Sequence, residues 1–182
     1  MTKALFFDID GTLVSFETHA IPASTIEALT IAHEKGIKIF IATGRPKAII
    51  NNLADIQDRG LIDGYITMNG AYCFVGDEVI YKSAIPAGEV RALAQVCEQK
   101  GYPCIFVGEH TISVCQPNKL VHDIFYDFLH VDEIPVKTFE EAVQEEIFQM
   151  TPFVTVEEET EIQPQIPNCE SGRWFPAFAD IT

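Results

Sequence analysis

Lys3-Ala4-Leu5-Phe6-Phe7-Asp8-Ile9-Asp10-Gly11-Thr12-Leu13 decides how this chain is read. Its first half, Ala4 to Phe7, is a nearly unbroken apolar run, the pattern of a strand buried on both faces of a parallel sheet. Its second half places two carboxylates one residue apart, then a glycine, where that strand ends. Ligands of open α/β sheets bind just beyond the carboxyl ends of strands. Gly11 allows close approach of the backbone and exposed N–H groups, and Thr12 shares the loop, so both are candidate phosphate contacts. An Asp-Gly pair is also a common turn. A turn, however, seldom follows a buried strand with a second aspartate still inside it, because an unpaired buried carboxylate is costly.

Working outward, Ser24 with Glu27 three residues on has the form of a capping box. Ile26, Leu29, Ala32 and His33 follow with helical spacing, and Gly36 is the expected stop. Ile37 to Thr43 reads as a second strand. Pro46 suits a first helical turn, with a helix running on toward Gln57. Tyr65 to Met68 reads as a third strand. Strand, helix, strand, helix, strand implies right-handed crossovers and a parallel sheet. The order places Ile41-Ala42-Thr43-Gly44-Arg45-Pro46 and Met68-Asn69-Gly70-Ala71 at the same sheet end as Asp8 and Asp10. Thr43 can donate to a phosphoryl oxygen, and a glycine with a helix start favours an anion. Asn69-Gly70 reads equally as a turn and as a ligand contact.

The pattern changes after this point. Ala71 to Val75 and Val79 to Lys82 flank Gly76-Asp77-Glu78, a hairpin signal. Beyond Pro86 and Gly88 come a helix (Glu89 to Lys100), strands at Cys104 to Val107 and Thr111 to Cys115, and a helix from Lys119 to Leu129. A short helix near Phe139 to Gln144, a strand from Ile147 to Phe153 and an acidic helix from Glu157 follow. Strands near Cys169 and from Phe175 to Ala179 close the chain. This mixture reads as an α+β unit with an antiparallel sheet. Trp174, Phe175 and Phe178 are expected in its core, and Glu157, Glu158, Glu159 and Glu161 on a solvated helix face. The expected division is residues 1–82 and 83–182.

The chain has 182 residues, 47% of them hydrophobic, which suffices for a packed core and excludes a disordered chain. No run of about 18 apolar residues suggests a membrane span. Asp8 comes too early for a secretory signal, so the cytoplasm is the expected compartment. The net charge of −15 argues against a nucleic-acid partner. Residues 1–82 carry seven bases and ten acids, and residues 83–182 carry five bases and 17 acids, so the second part is much the more acidic. The five cysteines contain no Cys-x-x-Cys pair and read as reduced, mostly buried thiols. The five histidines lack metal-ligand spacing.

D-x-D-G-T-L near the N-terminus, then A-T-G-R-P, then N-G-A, resembles the haloacid dehalogenase (HAD) superfamily, and within it the Cof-type sugar-phosphate phosphatases. The resemblance implies a Rossmann-like parallel-sheet core with an inserted α+β cap. It makes Asp8 the nucleophile that forms an aspartyl phosphate and Asp10 the general acid and base. Mg²⁺ would be held by the Asp8 carboxylate and the Asp10 backbone carbonyl, oxygen ligands that suit a hard cation. Thr43 would hold the phosphoryl group, with Gly44, Arg45 and Asn69 as further substrate contacts. The implied substrate is a small phosphorylated metabolite. Transfer to another hydroxyl, and a non-catalytic phosphate- or partner-binding role, remain as rivals.

Two motifs of that family are not in these 182 residues: a lysine that pairs with nucleophile and phosphate, and an aspartate pair in a Gly-Asp-Gly-x-Asn-Asp setting. The expectation is therefore an incomplete core, short of about 60 residues or more, and feeble activity of the chain alone. Ala4 to Asp8 would then be an apolar edge strand that invites pairing with another chain.

Overall fold

The computed structural model describes residues 3–182. The chain divides into two compact units, one ending at Lys82 and one spanning Ser83–Thr182.

In the first unit the apolar runs pair as the alternation requires. β1 (Ala4–Phe7), β2 (Lys38–Ala42) and β3 (Gly64–Thr67) are parallel neighbours in that order, and β4 (Tyr72–Val75) and β5 (Glu78–Lys82) continue the sheet antiparallel. Helix α1 (Ala23–Glu34) forms the first crossover. Ile9, Leu13, Leu29, Ile39, Ile41, Leu53 and Ile56 form the core of this unit. Gly76 and Asp77 turn β4 into β5, with Gly76 at φ 56°.

β1 is not buried on both faces as its sequence suggested. It is the edge of its sheet, and Leu5 and Phe6 are 39% and 57% exposed. Among the described residues it pairs with β2 alone, where Phe6 stacks on Phe40. The Ser24 capping box does not form either. Helix α1 starts two residues earlier, with Pro22 in the cap position, and the carbonyl of Pro22 takes the N–H groups of Thr25 and Ile26. The stop at Gly36 is as expected, at φ 76° with its N–H on the His33 carbonyl. The helix expected from Pro46 to Gln57 is broken. Only a 3-10 turn (Lys47–Ile49) and helix α2 (Ala54–Gln57) form, and Ile50 between them is extended. The Arg45 guanidinium takes the Ile49 carbonyl that a continuing helix would need.

The second unit is built on an antiparallel sheet with spatial order β7 (Ile112–Cys115), β6 (Cys104–Gly108), β8 (Ile147–Pro152), β10 (Phe178–Ile181), β9 (Ser171–Phe175). Leu93 and Cys97 of helix α3 (Ala87–Lys100) pack with Phe106, Met150 and Ile181 of this sheet. Helix α4 (Lys119–Val121), capped by Asn118, widens into a π-helix over His122–Phe128. Short helices α5 (Phe139–Ala142) and α6 (Val156–Ile162) each carry a capping box, Thr138 with Glu141 and Thr155 with Glu158. The whole is an α/β core unit and an α+β cap unit.

Three expectations for this unit are corrected. The strand expected near Cys169 is β9, which begins at Ser171, but the run Phe175 to Ala179 contains the β9–β10 turn. Trp174 is 45% exposed, although Phe178 is core. Glu159 is not solvated: Arg173 donates to it from Nε and Nη2 at 2.9 and 2.6 Å, and Ser171 donates from Oγ. That pair ties α6 to the edge strand β9.

Asp180 is the least expected group in the sheet. It is 4% exposed and accepts from Thr151 Oγ1 at 2.7 Å and Trp174 Nε1 at 3.3 Å, with Gln149 as a third donor. Burial pushes its pKa above the ordinary aspartate value, and these neutral donors offset only part of the cost. The buried Gln149 Oε1 has no hydrogen-bond partner. An aspartate with a raised folded pKa costs stability as pH rises from its unfolded to its folded value, and nothing below both. Asp180→Asn, with the Gln149 amide flipped to accept from it, is therefore expected to raise the melting temperature by about 2–4 °C at neutral pH. In thermal melts across pH the gain disappears below about pH 4.

Candidate active site

Asp8 follows the last residue of β1, and the chain winds into a tight loop. The Ile9 carbonyl accepts from Thr12, Leu13 and Val14, and the Gly11 N–H donates to the Val14 carbonyl. Ile9 is fully buried, which anchors the loop and leaves Asp8 and Asp10 on its outer side. Gly11 has φ 78°, and a Cβ there would come within 2.7 Å of the Phe16 ring, so both backbone and space require glycine.

The Asp8 carboxylate is solvent-accessible and accepts from the Ile9 N–H and the Thr12 hydroxyl. Its pKa is nonetheless raised. The desolvating protein around it is the main cause, the Asp10 charge adds to it, and the two donors and Arg45 oppose it. Asp10 is held differently. Arg45 donates to both of its oxygens, from Nε at 2.7 Å and Nη2 at 2.8 Å, a planar two-point pair. Arg45 is itself 7% exposed and spends Nη1 on the Ile49 carbonyl at 3.0 Å.

Thr43 and Arg45 are placed by the end of β2. Thr43 is buried, its N–H is on the Ile66 carbonyl of β3, and its Oγ1 accepts from the Arg45 N–H at 3.1 Å. A hydroxyl that accepts at oxygen keeps its own proton to donate. Asn69 follows β3 and lies over Gly44, where an added Cβ would meet Asn69 Oδ1 at 3.0 Å. All eight sequence-derived site residues thus belong to loops at the carboxyl ends of three parallel strands. The anion-favouring helix start after Pro46 is absent, because the 3-10 turn is three residues long. Arg45 is the positive group there instead. The roles of Ile49 as a carbonyl anchor and of Phe16 as a cover on Gly11 had no signal in the sequence.

Among the described residues, one group of three has metal-ligand atoms within 4.8 Å of one another: His122, Asp123 and Asp127. It lies on the π-helix of the second unit and does not include Asp8 or Asp10. Residues i and i+5 become neighbours only in π register, so the spacing rules for an α-helix pass over it. Lys119 already pairs with Asp123 at 2.5 Å. No helix among the described residues is long and apolar enough to cross a membrane.

The model of the haloacid dehalogenase-like hydrolases matches residues 5–174. Among solved structures, the HAD subclass IIB sugar phosphatase BT4131 superposes with a TM-score of 0.96 at 75% identity, over 100% of this chain and 70% of that one. The phosphatase BT1666 of Bacteroides thetaiotaomicron gives 0.83 at 35% identity, over 100% and 67%. The phosphatase-like protein YkrA of Bacillus subtilis is 28% identical over 185 residues, 99% of this chain and 68% of that protein. The chain thus spans about two thirds of the length of these relatives, and it belongs to the haloacid dehalogenase-like hydrolase family.

Proposed function

We propose that the chain carries the nucleophile end of a Mg²⁺-dependent phosphatase acting on small phosphorylated metabolites, with sugar phosphates as the substrate class. The observation that carries this reading is the pair at the end of β1: an accessible Asp8 beside an Asp10 clamped by Arg45. Asp8 attacks phosphorus, the bond to the leaving oxygen breaks, and Asp10 supplies the proton that oxygen needs. Water then attacks the aspartyl phosphate, Asp10 takes its proton, and the bond to Asp8 breaks to release inorganic phosphate. Both Asp10 oxygens are occupied by Arg45, so proton delivery requires Asp10 to leave that pair. Thr43 donates to a phosphoryl oxygen, and the Gly11 and Thr12 loop with Gly44 frames the same space. The sugar assignment draws on the likeness to BT4131.

The donors on this loop fit a hard cation. The Asp8 carboxylate and the Asp10 backbone carbonyl are both oxygens, and Asp8 is destabilised by the Asp10 charge. Mg²⁺ is commonly bound through one or two carboxylates, with water and phosphate oxygens completing its shell. When bound there it supplies positive charge to the reacting phosphoryl group. Five free cysteines are in keeping with a reducing, cytoplasmic setting.

The test is release of inorganic phosphate from a panel of sugar phosphates, with and without Mg²⁺. Whatever Mg²⁺-dependent release the chain shows is expected to be abolished by Asp8→Asn and lowered by Thr43→Ala. Phosphate release unaffected by Asp8→Asn would overturn the reading. Arg45→Ala removes both of the Arg45 donors to Asp10 and is expected to cost about 2 kcal/mol in denaturant unfolding. The loss should be smaller when Asp10→Asn is already present.

We further propose that the apolar free edge of β1 mediates self-association. Phe6 and Leu5 are the exposed apolar residues of that edge. Sedimentation of the chain is expected to show oligomers that Phe6→Lys shifts toward monomer. A parent chain that stays monomeric at high concentration sinks this idea.

A further inference from the structure

Met68, Asn69 and Gly70 lie in succession at φ 51°, 53° and 100°. Left-handed backbone is rare for residues other than glycine. Asn tolerates it, but a long unbranched side chain such as Met gains nothing there. A run of three cannot be put down to a single relaxed turn. Asn69-Gly70 is a dipeptide that favours such backbone in a turn, but nothing local favours it at Met68, which opens the four-residue reversal between the paired residues Thr67 and Tyr72.

What the conformation achieves is visible in its hydrogen bonds. The Met68 N–H points to the Arg45 carbonyl at 3.4 Å and the Asn69 N–H to the Thr43 carbonyl at 3.3 Å. Two successive donors of the turn thus hold two carbonyls of the loop that follows β2. Asn69 also covers Gly44, the residue between them. On the other side of that loop, Thr43 Oγ1 takes the Arg45 N–H, and the Arg45 side chain takes Asp10. The turn is itself firmly seated. Met68 is 2% exposed, Thr67 is fully buried with its hydroxyl on the Tyr72 carbonyl, and the Ala71 N–H closes on the Met68 carbonyl. Strained backbone of this kind persists only where surrounding structure enforces it.

We propose that the left-handed turn Met68–Asn69–Gly70 is a positioning device for the Thr43–Gly44–Arg45 loop, and that Asn69 acts through its backbone as a positioning residue for Arg45 rather than as a substrate contact. Its consequence for phosphate binding rests on the reading of the site given above. Its effect on Arg45 does not. A substitution that makes left-handed backbone unfavourable loosens the loop, frees the Arg45 guanidinium from Asp10 and lowers affinity for an anion. A substitution that keeps that backbone accessible does neither, even without the amide side chain.

The full chain permits a direct test. Hydrogen exchange of the Arg45 Nε proton, read by ¹⁵N NMR, reports its bond to Asp10, and calorimetry with inorganic phosphate reports the anion site. Gly70→Ala is the cleanest variant, because its new Cβ would meet nothing within 4 Å. Gly70→Ala and Asn69→Ala are each expected to speed Arg45 exchange and weaken phosphate binding by about tenfold. Asn69→Gly should return Arg45 exchange to within about threefold of the parent. Unchanged Arg45 exchange in both alanine variants overturns the proposal. So does an Asn69→Gly chain as impaired as Asn69→Ala, which would make the amide the acting group. Should the alanine variants fail to fold, Asn69→Gly still decides, since loss of Arg45 protection in that folded chain refutes backbone control. Absent phosphate binding in the parent, with Arg45 exchange responding as stated, would remove the phosphate reading and leave the positioning role standing.

Discussion

The two-point ion pair between Arg45 and Asp10 is the constraint on which the first unit's functional end depends. It joins the loop after β1 to the loop after β2 through two short charge-assisted bonds. The same guanidinium reaches the Ile49 carbonyl and thereby stops the chain after Pro46 from continuing as a helix. One side chain therefore decides the orientation of a carboxylate, the course of a loop and the end of a helix. Lysine could not do this, having one point charge in place of a planar fork.

That pair also separates the two aspartates chemically. Asp10 has a cation on both oxygens. Asp8, two residues away, has only a backbone N–H and a hydroxyl, and the protein around it and the Asp10 charge press it toward its neutral form. A carboxylate in that state is relieved by an arriving cation, whereas one already paired is held in place. Two like groups on one loop are thus given different electrostatic environments by their neighbours. The turn at Met68 and Asn69 extends the same logic one strand further, since its N–H groups hold the carbonyls on either side of Gly44.

The parallel pairing of the first three strands and the clustering of Asp8, Asp10, Gly11, Thr12, Thr43, Gly44, Arg45 and Asn69 at one sheet end were legible in the chain itself. Apolar runs of strand length alternating with helical spacing admit few topologies, and parallel crossovers bring all carboxyl ends to one edge. The hairpin at Gly76 was local chemistry and was read as such; the capping boxes at Thr138 and Thr155 are equally local but were not picked out. The misreadings were of another kind. Ser24 could have capped α1, but Pro22 already did. Pro46 could have opened a helix, but Arg45 reached forward to the Ile49 carbonyl. Glu159 belonged by pattern to a solvated acidic face, but Arg173 lay across from it on β9.

By itself, then, the sequence determined which backbone segments are strands, where glycine is obligatory and which polar groups gather beyond the sheet. These depend on side-chain period and backbone stereochemistry, which act over a few residues. The tertiary structure alone decided which carboxylate Arg45 would clasp, that Asp180 would be buried among neutral donors, and that Met68 would be held left-handed. Each of these is a contact between residues distant in the chain, or the strain such contacts impose. No local pattern encodes them, because their energies exist only once the segments have packed.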